Sequence, residues 1–238
     1  MPRKFTLKNY IEQGYYHIYN LGIDRRDIFL EPEDYKTFLD YLRTYLAPFE
    51  EQTKPGFKAD KPSIRSHKLN MNLHGQVELL AYCLMPNHFH LLVRQVVGDG
   101  ITKLMRRVGT NYSVYFNTKY HRQGGLFESV YKAALISNQA QLVHLTRYLH
   151  LNPVSLKVSR FGPVSTVTTA RPEEYEYSSY QKYLTGQSLP WFDPRPILST
   201  FDTLITSHSS YQSFVADHRV DSVSALGLLI LEGETEKR

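Results

Sequence analysis

The sequence predicts an α+β fold, a small antiparallel sheet with helices on one face. Three observations carry this reading. β-rich runs and helical stripes follow one another as strand, helix, hairpin, helix, strand, helix. The two runs of the hairpin are joined by only Met85-Pro86-Asn87, which makes them antiparallel neighbours. The chain has 238 residues, 42% hydrophobic and 13% aromatic, enough for one sizeable core and unlike a disordered segment.

Tyr15 to Leu21, YYHIYNL, is aromatic and β-branched as strands are. The loop GIDRRDIFL follows. Pro32-Glu33-Asp34 opens a helix, with proline in its first turn and acids where the helix dipole favours them. Tyr35, Phe38, Leu39, Leu42 and Leu46 keep the helical period, and Pro48 ends it. From Glu50 to Gly75 the chain turns polar, with Pro55, Gly56 and Pro62, which marks an inserted loop with a short hairpin around Ile64 to Leu73. Val77 to Leu84 and His88 to Gln95 are the hairpin strands. Ile101 to Tyr120 carries a stripe of Leu104, Met105, Val108, Tyr112, Tyr115 and Phe116 and reads as a helix. HRQGG is a turn, and Leu126 to Ile136 a strand. Asn138, three residues before Gln141, caps a helix from Gln139 to Leu151, which Pro153 stops at Asn152. YEYSSYQKYLTG is a short aromatic segment, LPWFDP a loop, and Phe201 to Arg238 adds one or two helices. The order is that of a ferredoxin-like (RRM-like) domain with a C-terminal helical extension.

Composition narrows the function classes. The single cysteine, Cys83, excludes an internal disulfide and a cysteine-rich zinc site. No run approaches the roughly 18 apolar residues of a membrane span, and MPRKFTLKNY lacks a signal-peptide core, so a cytoplasmic protein is expected. The net charge of +5 is compatible with nucleic acid. Between Ile101 and Tyr120 the charged residues are all basic: Lys103, Arg106, Arg107 and Lys119.

Side chains alternate along a strand, so His88 and His90 share a face. Two imidazoles so placed can hold one metal ion, but His-x-His also occurs as ordinary surface or core histidines. In RYLHLNPV, Tyr148 and Asn152 stand four apart on one helix face, with His144 one turn earlier. A tyrosine hydroxyl can be a nucleophile and an amide oxygen can ligate a hard cation. A core tyrosine and a helix-ending asparagine before proline would look the same.

Taken together, His-x-His, a later tyrosine and an amide four residues on resemble the single-tyrosine HUH (histidine-hydrophobic-histidine) transposases of the IS200-like family. The closest resemblance is to the REP-associated tyrosine transposases. It runs in order through YHIYNLGIDRRDIF, LAYCLMPNHFHLLV, NYSVYFNTKY, GGLFESVYKAALI, RYLHLNPV and YEYSSYQKYL, about Tyr15 to Leu184. The resemblance implies a catalytic domain over residues 1–184, with an insertion at about 50–75, and a C-terminal extension over 185–238. The implied activity is a metal-dependent endonuclease and strand transferase on single-stranded, hairpin (palindromic repeat) DNA, serving DNA transposition and recombination. His88, His90 and Asn152 would bind Mg²⁺ or Mn²⁺. Tyr148 would attack the scissile phosphate and form a covalent 5′-phosphotyrosine intermediate. No organic cofactor and no membrane partner are implied, and a monomer is favoured over a dimer.

On that reading Lys103, Arg106, Arg107, Lys119, Arg122 and Lys132 are candidate phosphate contacts, with Arg25 and Arg26 similar, and Tyr112, Tyr115 or Tyr120 a candidate for base stacking. A solvated basic face over a tyrosine-lined core is the competing account. Relatives commonly carry Gly-Arg where this chain has Ser129 and Val130, so one phosphate contact is expected to be missing. The alternative function is a domesticated, non-catalytic DNA or RNA binding module of the same fold. A third is a small-molecule metal hydrolase using the two histidines.

Overall fold

A computed structural model describes residues 10–52, 72–154, 171–204 and 211–217, and the backbone of 158–159 and 162–163. Most of the expected insertion, its hairpin around Ile64 to Leu73, and the tail after residue 217 lie outside the described residues. The elements are β1 (Tyr15–Leu21), α1 (Pro32–Leu46), α2 (Phe49–Gln52), β2 (Val77–Met85), β3 (His88–Gln95), α3 (Gly100–Lys119), β4 (Lys132–Ile136), α4 (Gln139–Leu151), a short β5–β6 ladder (Val158–Ser159 and Gly162–Pro163), α5 (Tyr180–Thr185), α6 (Arg195–Leu204) and α7 (Tyr211–Ala216). The four main strands form an antiparallel sheet in the order β2-β3-β1-β4. This is the expected α+β, ferredoxin-like topology.

Local chemistry explains the boundaries. Ala47 is extended, as the residue before a proline must be, and α1 ends there. Asn138 Oδ1 accepts from Gln141 N and caps α4, while Gln141 Oε1 reaches back to Ser137 N. Gly22 ends β1 where a Cβ would stand 2.1 Å from Arg26 O, so only glycine permits this turn.

One strand is shorter than the sequence suggests: β4 begins at Lys132 and not at Leu126. Upstream of it the chain follows the end of β1 through separate bonds. Ile23 N donates to Leu126 O, Glu128 N to Leu21 O, and the Asn20 side chain to Ser129 O. A side-chain donor replaces the ladder there, so no continuous strand forms.

The helices also divide between the faces. One face carries Phe89, Leu91 and Val93, and there Phe38 of α1 meets Phe89 and Tyr112 of α3 at ring centroids of 5.0 and 5.1 Å. That layer matches the expected single helical face. The other face carries His17, Tyr19, His88 and His90, and α4 lies across it, with Tyr148 against His17 and His90. The reason is parity: Ile18 and Phe89 leave room for apolar helices on one side, and the polar side receives a helix with polar groups of its own.

The outer edge of β2 is closed by the chain's later segment. Leu84 N donates to Tyr177 O, Ser179 N to Tyr82 O, and Asp193 N to Leu79 O, while the Tyr175 and Tyr183 hydroxyls donate to Leu84 O and Leu80 O. A sheet edge covered in this way is protected from pairing with other chains. Phe192, Ile197, Phe201, Tyr211, Phe214 and Val215 join the same hydrophobic core.

α1 and α3 are pinned together at Asp34. This fully buried carboxylate accepts from Leu30 N, Glu31 N, the Tyr115 and Tyr120 hydroxyls and Lys119 Nζ, at 2.8 to 3.1 Å. Burial alone would raise its pKa, but Lys119, Leu30 N and the two hydroxyls outweigh it and hold the carboxyl below its ordinary value. A depressed folded pKa contributes stability above the unfolded value of about 3.9, and that stability is lost as pH falls through the folded pKa. Asp34→Asn should therefore destabilise the domain by about 2–4 kcal/mol at neutral pH, as loss of one partner of a buried ion pair does. Urea melts of the two proteins should converge as the pH is lowered below about 4; a gap unchanged at pH 3 would show that the charge is not the source.

Candidate functional site

Four sequence-predicted residues meet on the polar face. β3 presents His88 and His90, α4 presents Tyr148, and Asn152 follows at the helix end. Asn152 Oδ1 lies 3.3 Å from His88 Nε2, and its Nδ2 lies 3.5 Å from His90 Nε2. His88, His90 and Asn152 are buried, and Tyr148 is half-buried with its ring edge-on to His90 at 5.6 Å.

The turn before β3 is held from outside the hairpin. Gly22 N donates to Asn87 O, and Ile28 N and Phe29 N both donate to Pro86 O. The Asn87 amide donates to Arg25 O at 3.3 Å, which turns its oxygen to His88 Nδ1 at 2.6 Å. A neutral His88 therefore carries its proton on Nδ1, and its Nε2 lone pair faces the Asn152 oxygen. Two lone pairs face each other in that arrangement, and a shared cation would resolve it. Two imidazole nitrogens and an amide oxygen suit a first-row divalent ion, with oxygen ligands from water or phosphate completing its shell. Among the described residues no group of three or more His, Cys, Asp or Glu side chains is placed to hold a metal.

α4 is fixed from its far side. His150 is fully buried, its Nδ1 2.7 Å from the Tyr211 hydroxyl and its Nε2 2.8 Å from Ser179 Oγ. Burial pushes its pKa down to about 3, so it is neutral. Arg147 donates to Phe214 O and Asp217 O and lies over the Phe214 ring at 4.7 Å. His144 pairs with Arg147 at 3.0 Å and faces Phe214; burial and then that arginine lower its pKa. It belongs to this anchor.

The basic and aromatic candidates scatter. Tyr112 is fully buried and donates to Ile28 O, so it has no face to offer a base; this corrects the expectation of stacking. Lys119 is bound into the acidic cluster of Glu31, Glu33 and Asp34, which corrects its reading as a phosphate contact. Lys103 pairs with Asp99 at 2.6 Å, and the half-buried Arg107 lies over Tyr45. Arg106 is exposed, but α3 as a whole packs on the sheet face opposite the histidines. Arg122 lies over Phe116 on that side. Lys132 alone among the seven stands beside the polar face, 5.7 Å over the Tyr19 ring, which neighbours His17 and His90. At the departure from the relatives' Gly-Arg, Ser129 lends its carbonyl to Asn20 and Val130 is 72% exposed.

Sequence reasoning missed His17, Asn87, Arg147 and His150. Strand parity puts His17 on one face of YYHIYNL, but its partner depends on which strand pairs with β1. Asn87 read as a turn residue.

None of the curated proteins matches the chain at a significant level. Several solved structures are similar to it, two of which follow. One is a REP-associated tyrosine transposase bound to a REP hairpin, at 15% identity, covering 77% of this chain and 87% of that one, TM-score 0.49. The other, from Deinococcus radiodurans R1 and provisionally assigned as a transposase, has 18% identity, covers 60% and 92%, and has a TM-score of 0.34. No helix among the described residues is long and apolar enough to cross a membrane. The family profile of the IS200-like transposases matches residues 10–152, from before β1 to the last site residue. The chain belongs to the IS200-like transposase family.

Proposed function

We propose that this transposase is a metal-dependent single-strand DNA endonuclease and strand transferase that uses Tyr148 as its nucleophile. The observation that carries the reading is the meeting of His88, His90 and Asn152, with the Tyr148 ring against His90. Family membership supports DNA as the substrate. The motif resemblance to REP-associated members supports a hairpin form of it.

A divalent ion, Mg²⁺ or Mn²⁺, held by His88, His90 and Asn152 would neutralise negative charge on the phosphate under attack. The Tyr148 oxygen forms a bond to phosphorus as the bond to the 3′ oxygen breaks. The tyrosine gives up its proton, and the 3′ oxygen leaves and is protonated. The products are a 5′-phosphotyrosine and a free 3′ hydroxyl. Reversal by another 3′ end transfers the strand. Lys132, at the edge of the same face, is the phosphate contact we assign first.

With a labelled hairpin oligonucleotide and Mn²⁺, the wild-type protein should give an SDS-stable protein–DNA adduct. Tyr148→Phe should lose it by at least about a thousandfold while binding the oligonucleotide as before. EDTA should abolish the adduct and added Mg²⁺ or Mn²⁺ restore it. Tight hairpin binding with no adduct under either ion, for wild type as for the variant, would instead mean a binding module.

Charge placement gives a separate check. Lys132→Ala should weaken hairpin binding several-fold and lower the salt slope of the affinity by about one. Tyr112→Phe should leave that affinity unchanged and cost about 1 kcal/mol of stability through the lost bond to Ile28 O. Equal affinities for Lys132→Ala and wild type would remove Lys132 from the interface.

A further inference from the structure

We propose that His17 is a positioning residue that keeps the His90 proton on Nδ1 and so turns the Nε2 lone pair to the metal; this rests on the metal-site reading above. His17 stands on β1 opposite Leu92, one diagonal step from His90. Neither ring is exposed to solvent. His17 Nε2 lies 2.9 Å from His90 Nδ1, and the rings are stacked at 24° with centroids 5.0 Å apart.

One proton occupies that contact, and its side decides what His90 can do. On His17 Nε2, it would leave neutral His90 with its own proton on Nε2, pointing at the site. On His90 Nδ1, it leaves Nε2 with a lone pair. The donor set chooses. For His90 to share one ion with His88 Nε2 and Asn152 Oδ1, its Nε2 must carry the lone pair, and Asn152 Nδ2, 3.5 Å away, offers that nitrogen only N–H groups. The compatible arrangement is His90 Nδ1–H donating to His17 Nε2.

His88 is treated in the same way by a different residue. Its Nδ1 donates to Asn87 Oδ1, itself fixed by Arg25 O. Each imidazole thus has one acceptor behind it, from the turn or from β1, and both Nε2 atoms aim inward. Acceptors of this kind orient metal-binding histidines, and their loss commonly weakens metal affinity about 10–100-fold. His17 can serve only with its own proton on Nδ1. Its packing against Tyr19, centroids 4.8 Å apart, holds the ring plane for that purpose.

The test uses the full chain, labelled with ¹⁵N-histidine and free of metal, together with Mn²⁺ titrations followed by electron paramagnetic resonance. Histidine NMR of the wild type should show His90 protonated on Nδ1. His17→Phe should move that proton toward Nε2 and weaken Mn²⁺ binding about 10–100-fold. His17→Gln, whose amide oxygen accepts, should recover most of the affinity. A wild-type His90 protonated on Nε2 overturns the proposal, and needs no variant to fold. So does a His17→Phe protein with a normal thermal melt that binds Mn²⁺ as wild type does. His90→Ala separates the two readings. If it abolishes Mn²⁺ binding while His17→Phe does not, only the role of His17 falls. If it binds Mn²⁺ normally, the metal site falls and this proposal with it.

Discussion

The antiparallel pairing of β1 with β3 is the constraint on which the rest depends. Register opposes Tyr19 to His90 and His17 to Leu92 at the centre of the sheet. A slip of one residue would turn every side chain of β3 to the other face. Phe89, Leu91 and Val93 would leave the core, and the histidines would be buried against Phe38 with nothing to accept their protons. The cost of that exchange is several buried apolar side chains at about 1.5–3 kcal/mol each, so packing on one face enforces the geometry of the site on the other. The core and the site are two readings of one strand.

The second requirement is that α4 stay where β3 needs it. Its apolar contacts alone would let it slide on the polar face. Arg147 and His150 prevent that, because each is buried with specific partners in the C-terminal extension. Both flank Tyr148 closely in sequence and point to the opposite side of the helix. A buried cation or imidazole stripped of its partners would carry a large desolvation penalty, so the helix has one acceptable rotation. Ser179, which holds His150 from the other side, lies in the segment before the extension that closes most of the edge of β2. Residues remote from the histidines therefore fix how Tyr148 sits relative to His90 and Asn152.

Much of this could be read in the sequence, and the limits have physical causes. The helices over 32–46, 100–119 and 139–151 follow from period, caps and prolines, which are local signals. His88 and His90 sharing a face follows from parity alone. The partnership of His17 with His90 does not, since it depends on a pairing between residues 73 apart in the chain. The same is true of α4 crossing to the second face. The sequence shows its apolar stripe but not which side of the sheet will be polar. Tyr112 and Lys119 misled for a related reason. A tyrosine in a basic helix and a lysine at its end look available, until Ile28 O and Asp34 are seen to take them.

That last point bears on how this protein meets DNA. The net charge of +5 suggests a basic surface, and ion pairing leaves that excess unchanged, but it occupies several of the individual cations: Lys103 with Asp99, Lys119 with three acids, Arg94 with Glu78. Paired cations still add to the long-range field that attracts a polyanion, but they release fewer counterions on contact. On the proposed function, general attraction and precise placement are then separate tasks. The first belongs to the whole surface. The second falls to few groups at the polar face, where Lys132 and the ring of Tyr19 adjoin the histidines. Selectivity would then come from how a strand is seated against β4 and α4, and the basic helix α3, on the far side of the sheet, contributes to the fold that makes the seat rigid.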